Sequence, residues 1–137
     1  MNYLIVARHQ ENLGWLSATP EGWTPFVVYK DIDLPNEGRE ASSYFYALAK
    51  IHYRPGDTLA FLQGDPFQHI RPDVLRERLT GPIKGFTHLS EMIVADDADG
   101  HPWHPGLPVG KRFDEWIGGD RPEMFEFPAG AQFAIPA

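Results

Sequence analysis

The 137 residues contain no cysteine, which removes disulfide scaffolds, thiolate metal sites and cysteine nucleophiles at once. Basic residues are scarce beside acidic ones, 12 against 19 for a net charge of −7. Bulk electrostatics therefore does not favour a chain that coats nucleic acid or anionic lipid. Long apolar runs are missing as well. The opening MNYLIVARHQ has no basic leader region and its apolar stretch stops at Arg8, which fits neither a secretory signal nor a membrane anchor. A cytoplasmic protein without a nucleic-acid partner is expected. What the chain does have is apolar material: 42% hydrophobic and 13% aromatic residues, enough for the core of one domain and too much for general disorder. Proline and glycine, 13 of each, crowd into the second half.

The first half carries clear signals. Tyr3 to Ala7 and Phe26 to Tyr29 are short apolar runs rich in Ile and Val, the pattern of strands buried on both faces. Glu11 to Leu16 is expected to make one helical turn before Thr-Pro-Glu-Gly at 19–22. A helix is expected after Asn36 as cap, with Glu37 and Glu40 where the helix dipole favours negative charge. Ala41, Tyr44, Phe45, Leu48 and His52 recur at helical spacing until Pro55-Gly56. Asp57 to Leu62 is then a third strand. Strand, short crossover, strand, helix, strand predicts a parallel sheet in the order second, first, third. The expected fold is a three-layer α/β/α sandwich around a mostly parallel sheet, in a single domain.

The second half is less legible. Pro72 to Leu79 reads as a two-turn helix, and Phe86 to Ala95 as one strand or as two broken at Leu89-Ser90-Glu91. Residues 96–110 read as a Pro/Gly loop whose Trp103 packs on the core, followed by a short helix from Phe113 to Ile117. Phe125–Phe127 and Ala131–Ile135 are expected to pair as edge strands.

Several tempting motifs fail on their chemistry. His101 and His104 lie in His-Pro-Trp-His-Pro, where two prolines forbid the helix that presents paired imidazoles to zinc. Asp96-Asp97-Ala98-Asp99-Gly100 resembles a calcium loop but places Gly106 where the closing Glu belongs, and reads as a solvated turn. The segment from Gly106 to Arg112 is one residue short of a P-loop and carries Arg in place of Ser or Thr. There is no Gly-x-Ser-x-Gly elbow.

Ligands of open α/β sheets gather at the carboxyl ends of the strands. Arg8, Asp31, Asp33, Asn36, Arg39, Gln63 and Asp65 all fall on that edge of the expected sheet. Arg39, in the first turn of its helix, has two readings: a bidentate grip on phosphate, or an ion pair with Glu37, Glu40 or Asp65. The same choice holds for Arg8.

The blocks VARHQENLGWL, VVYKDIDLPNEGREASSYFYALAKI and LAFLQGDPFQHI resemble an uncharacterised glycosyltransferase-like family. Its members share an acidic residue and Trp-Leu after a strand, a Leu-Pro-Asn-x-Gly-Arg-Glu helix start and a Phe-Leu-Gln-Gly strand end. The agreement covers about half the chain, roughly residues 3–70, with GAQFAI at 130–135 resembling a later block. The family is similar in layout to inverting sugar transferases of the GT-A fold, in which an Asp-x-Asp motif holds a divalent metal on a sugar-nucleotide diphosphate. Gln63-Gly64-Asp65 stands at that place, so one carboxylate remains.

The resemblance implies a nucleotide-sugar or phosphorylated-sugar ligand. Asp65 would hold Mn²⁺ or Mg²⁺ or a phosphate-bound water, Arg39 and Arg8 would neutralise phosphate, and Asp31 or Asp33 would accept from ribose or base. Such transferases continue beyond the point matching GAQFAI, so the chain is expected to be a minimal transferase or one lacking the acceptor half. The alternatives are a non-catalytic assembly module, and a metal-dependent hydrolase built on Asp65, His69 and His101 or His104.

Overall fold

The computed structural model describes residues 1–137. Ten regular elements follow in order: β1 (Asn2–Arg8), β2 (Trp23–Tyr29), α1 (Arg39–Lys50), β3 (Thr58–Gln63), α2 (Pro72–Thr80), β4 (Thr87–His88), β5 (Ile93–Asp96), α3 (Val109–Trp116), β6 (Phe125–Pro128) and β7 (Phe133–Pro136). A single 3₁₀ turn at Gly14–Ala18 sits where one helical turn was expected.

The three apolar runs of the first half form neighbouring parallel strands in the order β2-β1-β3. Leu4 to Ala7 and Leu59 to Leu62 are buried along their whole length, which explains why they read as continuous apolar runs instead of alternating ones. On one face Tyr44 and Ala47 of α1 pack on Ile5, Val28, Leu59 and Phe61. On the other, Leu75 and Leu79 of α2 pack with Trp23, Leu4, Val6 and Leu62.

The mostly parallel, truncated GT-A layout is overturned by the rest of the sheet. Its full order is β2-β1-β3-β7-β4, and β7 runs antiparallel to both β3 and β4. Two of the four pairings are therefore parallel and two antiparallel, and the sheet is mixed. The expected pairing of the two last strands is wrong too. β6 pairs antiparallel with β5 in a separate two-stranded ribbon, while β7 joins the main sheet. The short turn at Ala129–Ala131 between them changes sheets instead of closing a hairpin.

Smaller corrections have local causes. α1 begins at Arg39 behind Gly38, with no side-chain cap, so Asn36 does not cap it; its Nδ2 contacts His9 Nε2 at 3.2 Å. Phe45 stays 72% exposed despite its helical spacing, since the buried stripe runs through Tyr44 and Ala47. Trp103 is 53% exposed and does not pack on the core. No helix is long and apolar enough to cross a membrane.

Candidate functional site

The carboxyl ends of β1, β2 and β3 meet the start of α1 around a cavity of about 400 Å³. Ala7, His9 and Glu11 enter it from β1 and the turn after it, Lys30 from the end of β2, and Gln63 and Asp65 from the end of β3. Asn36, Gly38, Arg39 and Glu40 close it from the helix side. Of the residues expected on this edge, Asn36, Arg39, Gln63 and Asp65 are thus brought together.

Arg8, Asp31 and Asp33 are not. Arg8 donates through Nε to the Glu11 carbonyl at 2.9 Å and lies over the Tyr29 ring at 5.2 Å, so it ties β1 to the end of β2. Asp33 accepts from Tyr29 N at 2.7 Å, and Asp31 accepts from Asn36 N and contacts His9 Nε2, each at 3.2 Å. Both aspartates build the 29–36 turn. Their short side chains satisfy backbone donors locally, the ordinary use of Asp in turns.

Lys30 was not anticipated. It is only 8% exposed, and its ammonium donates to the Arg39 carbonyl. An ammonium carries three donors, and that carbonyl is its one partner in the protein. Arg39 makes no ion pair with Glu37, Glu40 or Asp65. The cavity's carboxylates are largely engaged: Glu11 accepts from His9 N and Gln10 N at 2.7 and 3.1 Å, and Asp65 from Phe67 N and Gln68 Nε2 at 3.3 and 3.4 Å. Lys30, Arg39 and the third cavity carboxylate, Glu40, are the charged groups left with capacity. A buried lysine at the end of an apolar run was legible in Tyr-Lys-Asp only as a strand end.

Asp65 caps the one-turn 3₁₀ helix Pro66–Gln68. No three His, Asp or Glu side chains stand close enough to hold a metal ion by themselves. The hydrolase built on Asp65, His69 and a second His has no basis for that reason. A divalent cation of the Mg²⁺ class held at Asp65 would draw its other oxygen donors from ligand phosphate and water. Asp65→Ala is expected to lower stability by about 0.5–2 kcal/mol, the usual cost of losing a cap. Melting curves check this.

A second cavity of about 750 Å³ adjoins the first, sharing Gly38, Arg39, Glu40 and Gln63. Its far wall is the β5–β6 ribbon with the loop after it, through His104, Phe127 and Pro128, and its floor holds His69, Phe86 and Phe133. Gly130 sits between the two walls with φ +71, where a Cβ would stand 2.5 Å from His69 Cδ2 and 2.8 Å from Gln63 Nε2. Glycine keeps that junction open.

The segment expected to be a solvated turn is tightly built. Asp96 is 1% exposed and accepts from His104 Nδ1 at 2.6 Å and Trp103 N at 2.7 Å. Burial alone pushes its carboxyl up, but those hydrogen bonds and the charge of a protonated His104 outweigh it and hold the carboxyl below the ordinary range. Asp97 accepts from Asp99 N and His101 N, both at 2.9 Å. The turn so formed delivers His104 to the cavity and leaves His101 outside it.

Comparison of the chain with protein-family models, with curated proteins and with solved structures returns no match.

Proposed function

We propose that this protein binds a phosphorylated sugar of the nucleotide-sugar class in the smaller cavity, as the donor side of a glycosyl transfer. Lys30 and Arg39 meet the phosphate, while Asn36 and Gln63 hydrogen-bond to sugar hydroxyls. The observation that carries the reading is the pair of cations lining one cavity without a carboxylate partner, beside Glu11 and Asp65, whose carboxylates accept from amide donors while Glu40 stays free. A desolvated cation such as Lys30 favours an anionic partner, and the planar guanidinium fork of the exposed Arg39 can meet two phosphate oxygens at once. The uncapped start of α1 adds free N–H groups to the same wall. The resemblance of the Asn-x-Gly-Arg-Glu and Phe-Leu-Gln-Gly blocks to a glycosyltransferase-like family points the same way, since both blocks end at this cavity. With no protein-built metal site, phosphate charge falls to Lys30 and Arg39.

Calorimetric titration of glucose 1-phosphate and UDP-glucose, with and without Mn²⁺, tests this. Wild type is expected to bind, and Arg39→Ala to bind at least about tenfold more weakly, the loss of one charge-assisted contact, with its melting curve unchanged. No binding by wild type, or equal affinity in the variant, contradicts the reading.

An assembly module is a second reading, favoured by the exposure of Leu107, Trp116 and Ile117. It expects the titrations to be silent.

A further inference from the structure

His104 and Asp96 form a pair that the donor site does not use. The carboxylate is buried and fixed, and its Oδ2 lies 2.6 Å from His104 Nδ1. An ionised carboxylate only accepts, so Nδ1 carries a proton, and in its neutral form the ring has a bare Nε2. That nitrogen has no hydrogen-bond partner in the protein. The ring is 45% exposed, lies 5.1 Å from the Phe127 ring, and lines the larger cavity. An imidazole with one nitrogen held by a buried carboxylate and the other open to a cavity is the arrangement of a general base.

The larger cavity is also chemically unlike its neighbour. Phe86 and Phe133 stack there with centroids 5.1 Å apart, and Phe86 is 60% exposed. A flat apolar surface beside an imidazole suits the C–H face of a sugar ring with a hydroxyl turned to the base. The two cavities meet at Arg39 and Gln63, where a donor phosphate and an acceptor hydroxyl would approach one another.

We propose that His104, oriented by Asp96, is the general base of this cleft and deprotonates a hydroxyl of a carbohydrate acceptor bound against Phe86 and Phe133. The inference rests on the donor reading above. As the acceptor oxygen bonds to the anomeric carbon, the bond from that carbon to the phosphate oxygen breaks and its electron pair leaves with the phosphate. The hydroxyl proton passes to His104 Nε2 and is later released to solvent. Asp96 is a positioning residue that keeps Nδ1 protonated. Water can replace the carbohydrate hydroxyl, which makes slow donor hydrolysis a probe that needs no identified acceptor.

Two measurements on the full chain test the assignment. Imidazole nitrogen spectra of the wild type, without ligand, are expected to show neutral His104 as the Nδ1–H tautomer. An Nε2–H tautomer overturns the base role whatever the chain binds. Single-turnover hydrolysis of UDP-glucose is then compared in wild type, His104→Gln and His52→Gln, the last residue lying outside both cavities. His104→Gln is expected to lose at least about a hundredfold in rate with unchanged donor affinity, and His52→Gln to match wild type. Donor binding with equal turnover in His104→Gln, or with no turnover in wild type, overturns the base role and leaves the donor reading intact. Failure of wild type to bind the donor overturns the donor reading and the transfer step with it.

Discussion

Phe61→Ala is expected to remove about 3–5 kcal/mol of stability, the cost of a large aromatic cut from a packed core. Phe61 is 2% exposed at the middle of β3. It stacks on Phe133 of β7 at 4.8 Å and meets the Tyr44 ring of α1 edge-on at 5.1 Å. One side chain thus joins the parallel half of the sheet, the antiparallel strand and the helix that opens the site. Small domains hold only about 5–15 kcal/mol in all, so the variant should lose much of its margin. Urea unfolding should show the midpoint falling with the slope unchanged. A loss under about 1 kcal/mol, the size of an average substitution, contradicts this packing.

Gly100→Ala should be the most damaging change among the turns, at about 2–3 kcal/mol for a residue forced into left-handed backbone against contacts. Gly100 has φ +84, and a Cβ there would stand 2.1 Å from the His104 carbonyl oxygen and 3.0 Å from that of Leu107. Those are backbone atoms and cannot swing aside. The same carbonyl region is where His104 N donates to Gly100 O at 2.6 Å, so relieving the clash means opening the turn that presents His104. Hydrogen exchange at the His104 amide should accelerate, and the Nδ1 contact to Asp96 should be lost. A variant that melts like wild type and keeps that amide protected contradicts the description of the turn.

The legible part of the fold was the part governed by local pattern. Tyr3–Ala7, Phe26–Tyr29 and Asp57–Leu62 were legible as short strand runs, and right-handed crossovers order three such strands, although the second lies at the sheet edge with only Val28 of its run buried. The placement of β7 has no comparable signal. Phe133 to Pro136 could lie beside any exposed edge, and what selects the edge of β3 is the stacking of Phe133 on Phe61 across more than half the chain. Trp103 misled because a Trp in a Pro-rich loop reads as an anchor, whereas its backbone N–H is what the structure uses, as a donor to Asp96.

The site divides along similar lines. Arg39, Asn36, Gln63 and Asp65 were visible because they terminate recognisable elements. Arg8, Asp31 and Asp33 occupy equally polar strand ends, and only their spatial partners reveal that they build turns. Asp96 was hidden by its company: three aspartates and a glycine look solvated, and nothing in the pattern says that the first is buried. The Asp96–His104 spacing of eight residues across Gly100 and Pro102 is a usable signal only once the turn is known.

The most direct test of the donor site is to record amide nitrogen–proton spectra of the wild-type chain while glucose 1-phosphate and then UDP-glucose are added. The account predicts saturable shifts confined to Lys30, Asn36 to Ala41 and Gln63 to Asp65, with the exposed face at Leu107, Trp116 and Ile117 unmoved. Shifts confined to that exposed face, or no shift at millimolar ligand, would contradict it.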